Sequence, residues 1–428
     1  MKDNWKELTI GDEINLLGGF PFSSSNFNEE GVGTPLIRIR DLLNSSQETF
    51  YSGSFSNSYL INEQDILVGM DGDFHIVKWK NSPSLLNQRI LKVSGKKESE
   101  IDIDYLFYYL HPFLLDVHAK TAATTVKHLS TFDISKAVDL FPPLSQQRKI
   151  AKILSTCDEV IEKTEAAIAK YQALKQGMMH DLFTRGIDLK TGRLRPSYQD
   201  APGLYKESEL GMIPKDWDVI NFEEATEIIT DFTANGSFES LRINVKYYYE
   251  VNYGRLIRLT DLRQNLQTDG VYVDKAGFDY LAKSALREND IMLANVGEYT
   301  GFACLMPKVN YPATMAPNMF LVRTNQELFD AKFMYYFMTF PSFTNQVDNV
   351  SASSATKLLN KTNFRAMELP KPSIDEQKLF GTSLESINEK IQIEQSTLAK
   401  YQQLKAGLMQ DLLTGKVEVR VAEEILKN

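Results

Sequence analysis

Between Leu144 and Arg185 apolar and polar residues alternate at helical spacing without a proline or a break, as LSQQRKIAKILSTCDEVIEKTEAAIAKYQALKQGMMHDLFTR. With Ile150 at position d of a heptad, Ile150, Cys157, Thr164, Tyr171 and Met178 fall at d. Leu154, Ile161, Ile168 and Leu182 fall at a, and Ile153, Val160, Ala167 and Leu174 widen the stripe. The pattern returns from Ile374 to Gly415 at a constant offset of 230, with Phe380, Ile387, Tyr401 and Leu408 at d and Leu384, Ile391, Leu398 and Leu412 at a. From Lys170 to Arg185, ten of sixteen positions are identical to their counterparts. Two long amphipathic helices are predicted, each of about 38 residues and roughly 57 Å long. Each carries a seam that water does not satisfy, and the economical partner is the other copy. Lys175 and Lys405 at a and Glu394 at d predict a seam locally open to solvent or to another subunit. Pro142 and Pro143 precede Ser145, and Pro370 and Pro372 precede Asp375, so proline ends the preceding strand and a small oxygen-bearing residue caps the helix, with Ser373 and Glu376 offering a capping box instead.

The segment ahead of each helix repeats more weakly. Trp5 opens the first copy and Trp217 the second; Leu36 to Leu42 answers Leu256 to Leu262 with strand-like alternation; Asp65-Ile66-Leu67 answers Asp290-Ile291-Met292, each followed by a glycine-bearing loop. Tyr108-Tyr109 answers Tyr335-Tyr336 in short aromatic helices, and Thr125 to Leu129 answers Ala355 to Leu359. The offset drifts from 212 to 230, so the framework is shared and the loops differ. Gly186 to Pro214 is rich in glycine, proline and polar residues and reads as a linker; Lys416 to Val421 alternates like a short edge strand. The expected architecture is α+β, with two pseudo-repeated α/β domains separated by two long antiparallel helices that form a coiled-coil spacer. Its divisions are residues 1–143, 144–185 (helix), 186–214 (linker), 215–372, 373–415 (helix) and 416–428 (tail).

Composition narrows the class. Two cysteines far apart exclude a disulfide framework, and the absence of a signal-like N-terminus or a long apolar run points to a cytoplasmic protein with no membrane association. The net charge of −9 opposes a simple nucleic-acid binder. Residues 1–145 hold 13 basic and 19 acidic side chains and residues 146–200 hold 10 and 7, so a polyanion would need clustered cations or a partner's charge.

Catalytic motifs are missing. Gly95-Lys96-Lys97 lacks the upstream glycine of a phosphate loop, and the five histidines pair with neither cysteine at metal-ligand spacing. Phe141-Pro142-Pro143-Leu144 lacks the amide or acid and the aromatic of an amino-methyltransferase site, and it sits where a helix must begin. No catalytic residue, metal ligand or bound cofactor is expected on this chain. What remains is interleaved basic and aromatic sequence, for which the plainer reading is an amphipathic strand with a solvated charged side. The candidates for DNA contact are Arg38, Arg40, Lys78, Lys80, Lys127, Arg242, Lys246, Tyr247, Arg258 and Lys357; for the spacer seam they are Leu154, Ile161, Ile168, Tyr171, Leu384, Ile391, Leu398 and Tyr401.

The doubled helix, the tryptophan-led starts, Phe141 to Gln147, Tyr171 to Leu182, Tyr401 to Gly415 and Ser208 to Trp217 together resemble the specificity subunit of a type I restriction-modification system, over essentially the whole chain. Gln146, where that family usually has glutamate, and the diverged Leu369 to Gln377 depart from its pattern. The resemblance implies two target-recognition domains, each reading half of a split, asymmetric double-stranded DNA site, held apart by the helices. It implies two modification subunits that bring S-adenosylmethionine, and restriction subunits that bring ATP and Mg-dependent nuclease activity. Half-sites on one face of DNA lie about one turn, ~34 Å, apart, a spacing that two domains on a rod meet. The rivals are a non-catalytic protein-interaction scaffold built on a doubled coiled coil, which the acidic composition favours, and an independent methyltransferase or nuclease, which the absent motifs disfavour.

Overall fold

The computed structural model describes residues 4–81, 83–121, 126–351 and 357–421. The chain divides into two compact units, 1–166 with 395–428 and 167–394, so the division cuts both long helices, Leu144–Arg185 and Ile374–Leu413. Each unit therefore holds the start of one helix and the end of the other.

Within the first unit, Ile14–Gly18, Ile90–Gly95, Ile66–Gly69 and Ile76–Lys78 form a four-stranded antiparallel sheet in that spatial order. Within the second, Thr226–Asp231, Met319–Thr324, Ile291–Ala294 and Ala303–Leu305 repeat it. Each unit has a further sheet around one parallel pair, Thr34–Ile37 with Ser84–Leu86 and Gly254–Ile257 with Ala313–Met315. A short antiparallel pair closes each domain on itself: Lys6–Thr9 with Val138–Phe141, and Asp218–Asn221 with Glu368–Lys371. The first unit's second strand ends at Pro142 and Pro143; the second unit's takes in Pro370, opposite Val219, and ends before Pro372, and each long helix starts just beyond.

The helical seam is buried unevenly. Leu154 and Leu384 are fully covered, Ile168 and Ile391 are buried, and Ile161, Tyr171, Leu398 and Tyr401 are half-buried. In the first unit Ile150, Ala151 and Leu154 pack with Leu412; in the second, Met179, Leu182 and Phe183 pack with Phe380 and Leu384. Lys405 of one helix pairs with Asp158 of the other at 2.5 Å, a step earlier on one and later on the other, so the halves run antiparallel. A fully buried leucine is worth about 1.5–3 kcal/mol, so these contacts fix the helices to their domains as well as to each other.

Several expectations need correction. Leu174 does not widen the seam: it is 51% exposed, and so is its counterpart Leu404 at 54%. Ser145 and Asp375 lie inside the first turn; Ser373 Oγ accepts the Glu376 N–H at 3.4 Å, but the Glu376 carboxylate turns elsewhere, so no reciprocal box forms. The linker carries two small hairpins, Ile187–Asp188 with Arg193–Leu194 and Tyr205–Ser208 with Gly211–Pro214. Lys416–Val421 is not a strand, and residues 422–428 lie outside the described residues. The stretch from Leu36 is strand only as far as Ile37, because Asp41 accepts the Arg38 N–H at 2.8 Å and bends the chain; Asp261 does the same to Arg258. The aromatic helix of the first unit is long, Ile103–Lys120, where the second unit breaks it into Ala331–Met338 and Pro341–Ser351. No helix among the described residues is long and apolar enough to cross a membrane.

Candidate nucleic-acid interface

In the first unit most of the candidate cations are already engaged. Lys78 Nζ meets Asp104 at 2.6 Å and lies over the Phe107 ring, and Lys80 pairs with Glu162 of the long helix. Both line a cleft between domain and helix. Lys127 Nζ donates to the His118 carbonyl at 2.5 Å. Arg40 is exposed, 3.7 Å from Asp41, and Arg38 stacks on Phe27 at 5.5 Å with no salt bridge among the described residues.

In the second unit Arg258 makes a two-point bond to Asp261, Nε to Oδ2 at 2.9 Å and Nη2 to Oδ1 at 2.7 Å. Burial opposes the Asp261 charge, but the Arg258 and Thr268 hydrogen bonds outweigh it and hold the carboxyl below its ordinary range. Lys357 pairs with Asp348 at 2.8 Å. Arg242, Lys246 and Tyr247 are exposed, and neither cation forms a salt bridge among the described residues; Lys246 acts on Asp274 only as a nearby charge. Here three candidates come together, on the connection that follows Thr226–Asp231.

The retained Lys127 and Lys357 have a backbone explanation. The Lys127 carbonyl accepts the Gly72 N–H at 3.1 Å, and the Lys357 carbonyl accepts the Gly297 N–H at 2.9 Å, so one loop braces the other in both units. Residues Thr125, Ala355 and Thr356 of the predicted pair lie outside the described residues. On the first unit's braced loop Asp71 accepts His128 Nδ1 at 2.7 Å with Arg89 at 3.6 Å, a cluster that spacing alone did not reveal. Asp71 stands in the glycine-bearing loop Gly69-Met70-Asp71-Gly72, the one sequence signal at this position.

The lysines in the seam are half-buried, each over an aromatic ring. Lys405 sits over the Tyr108 ring at 5.6 Å and Lys175 over the Tyr336 ring at 5.5 Å. Tyr108 donates to Asp158 at 2.7 Å, and Asn388 donates to Tyr336 at 2.6 Å. Burial lowers the Lys175 ammonium below the usual lysine range, partly opposed by Glu385. These contacts align Tyr108 with Tyr336, one residue off the predicted pairing. Each unit also has a cleft where its domain meets its long helix, about 550 Å³ around Tyr335, Tyr336, Glu385 and Asn388 and about 530 Å³ around Phe107, Tyr108, Asp158 and Lys405.

The duplication extends to comparisons with known proteins. The family model for the type I restriction modification DNA specificity domain matches the chain twice, over residues 2–170 and 214–403. The chain belongs to this family. Among curated relatives, the specificity subunit of type I restriction enzyme EcoBI of Escherichia coli is 28% identical, over 88% of this chain and 77% of its own. The specificity subunit of type I restriction enzyme MjaVIII of Methanocaldococcus jannaschii is 24% identical, over 98% and 94%. The solved type I restriction-modification S subunit of M. genitalium has the same fold, with a TM-score of 0.59 at 14% identity over 96% of both chains. Each family match takes in one recognition domain and part of the long helix after it, and the two leave residues 171–213, with the hairpinned linker, between them.

Proposed function

We propose that this chain is the non-catalytic, DNA-reading subunit of a type I restriction-modification complex, each domain reading one half of an asymmetric bipartite site. The long helices set the separation of the half-sites and dock two modification subunits. Those subunits would carry S-adenosylmethionine, and restriction subunits would carry ATP and Mg. The observation that carries the reading is one sheet order built twice beneath unlike loops. A framework that must hold two readers alike while they read different sequences is conserved in its bonds and varied in its connections.

The scaffold alternative explains the helices but not why two domains of equal framework carry different loops. Methylation mapping in cells carrying the complete system tests the choice. A bipartite asymmetric motif that disappears when this chain is deleted is expected; an unchanged methylome sinks the reading. Leu398→Asp in the half-buried seam is expected to impair methylation at the normal spacer length.

A further inference from the structure

In the second unit, the connection between Thr226–Asp231 and Gly254–Ile257 is held firmly yet displays apolar side chains to solvent. Leu241 and Val245 are buried in the domain core, and Tyr248 exchanges two backbone hydrogen bonds with Tyr272, at 2.8 and 2.7 Å. Flanking these anchors, Phe238 is 77% exposed, Tyr249 81% and Val251 83%, and between them Ile243 and Tyr247 are also exposed. An anchored segment that keeps large apolar groups in water marks a binding surface. Arg242 and Lys246, one helical turn apart in sequence, stand among them without salt bridges among the described residues, while Glu239 and Glu250 are the acids of the same stretch.

We infer that residues 238–253 form the base-contacting arm of the second domain on duplex DNA, with Tyr249 and Val251 against the bases and Arg242 and Lys246 on phosphates. The inference rests on the function proposed above and assigns part of it to particular residues. A duplex offers apolar surface at thymine methyls in the major groove and at base faces where a step is opened, and cations beside such contacts find phosphates. The corresponding connection of the first unit, residues 19–33, contains no lysine or arginine and has Glu29 and Glu30. A surface for a partner common to both halves would recur in both; this arm does not recur, so it goes with what differs between the halves, the DNA sequence read.

The test uses the complete complex and duplexes carrying its mapped target, altered in one half at a time. Tyr249→Ser combined with Val251→Ser removes side chains that support nothing in the core. Discrimination at one half-site is expected to fall about tenfold or more, with the other half unchanged. Arg242→Gln with Lys246→Gln is expected to weaken binding evenly across sequences and lower the salt-dependence slope by roughly 2. Unchanged discrimination at both halves in the serine variant overturns the inference, and so does loss of subunit assembly, which would make the arm a protein interface. If the unaltered complex discriminates no site at all, the functional reading fails first and takes the inference with it.

Discussion

The two long helices begin alike and are then held differently. Gln147 Oε1 accepts the Asp102 N–H, and its Nε2 donates to the Glu100 and Pro142 carbonyls, all at 2.8 Å. Gln377 repeats the set with the Asp330 N–H at 2.9 Å and the Leu328 and Pro372 carbonyls at 3.0 and 2.9 Å. One residue earlier the units part. Glu376, buried, takes two bonds from Arg195 at 2.6 and 3.2 Å, one from the Ile187 N–H at 2.6 Å and one from the Trp217 indole at 3.1 Å. Its counterpart Gln146 is 3% exposed, and its Nε2 has no partner among the described residues. Bonds that close within the repeated module are kept; the bond that receives a neighbouring stretch of chain varies. Arg195 arrives on the hairpinned segment after the first helix, whereas after the second helix Lys416 pairs with Asp411.

That contrast is sharpest in mutation. Glu376→Ala strands a largely buried guanidinium, leaving it Asp216 and the Arg185 carbonyl among the described residues, and a broken buried pair costs about 3–5 kcal/mol. Gln146→Ala removes an amide whose nitrogen already lacks a partner and is expected to cost under about 1 kcal/mol. Denaturant midpoints at constant m measure both; equal losses would erase the distinction. The shared clamp predicts the opposite symmetry. Gln147→Leu and Gln377→Leu each leave three backbone groups unpaired, and each is expected to cost about 2–4 kcal/mol. Hydrogen exchange should rise at Asp102 in one variant and at Asp330 in the other, and a one-sided effect would show that the clamps are not equivalent.

The seam lysines separate the units by less. Lys405→Met gives up the half-buried pair with Asp158, worth about 1 kcal/mol. Lys175 forms no salt bridge among the described residues and is desolvated, so Lys175→Met is expected to be neutral or slightly stabilising. Thermal melts of the two variants decide it; a larger loss from Lys175→Met would mean that its place over Tyr336 outweighs the cost of burying the charge.

The long helices were legible because a periodic seam is written locally, and Leu144–Arg185 could be read to its ends. The doubling was legible because identity survives at Lys170 to Arg185. The lysines in that seam read as plain openings, because the fold supplies the aromatic ring from another element and no periodicity announces Tyr108 or Tyr336. The hairpins of the linker were not legible for a related reason. Its glycines and prolines punctuate hairpins as well as coil, and what orders it is Arg195 meeting Glu376, a pair 181 residues apart. Among the candidate contacts, Lys78, Lys80 and Arg258 were chosen by type, and type does not report a carboxylate brought alongside by folding. Arg242, Lys246 and Tyr247, chosen in the same way, are left exposed by the fold.

The smallest predicted difference concerns acid. His111, inside the first unit's aromatic helix, donates Nδ1–H to the Phe107 carbonyl at 2.8 Å. Burial pushes its imidazole below the ordinary value of 6.5; Lys405 adds to the shift, and the Phe107 bond and Asp158 oppose it. Below 6.5 the unfolded chain takes up a proton that the folded one resists, so His111 contributes its full share of stability above 6.5 and loses it as the pH falls through the depressed folded value. Aligning Tyr108 with Tyr336 puts Thr339, which does not titrate, at the matching position of the second unit. Hydrogen exchange corrected for intrinsic rates, compared between pH 7.5 and 5.5, is expected to show protection falling in Ile103–Lys120 more than in Ala331–Met338. His111→Phe should flatten that difference; a slope that persists in the variant would place the acid-sensitive group elsewhere in the first unit.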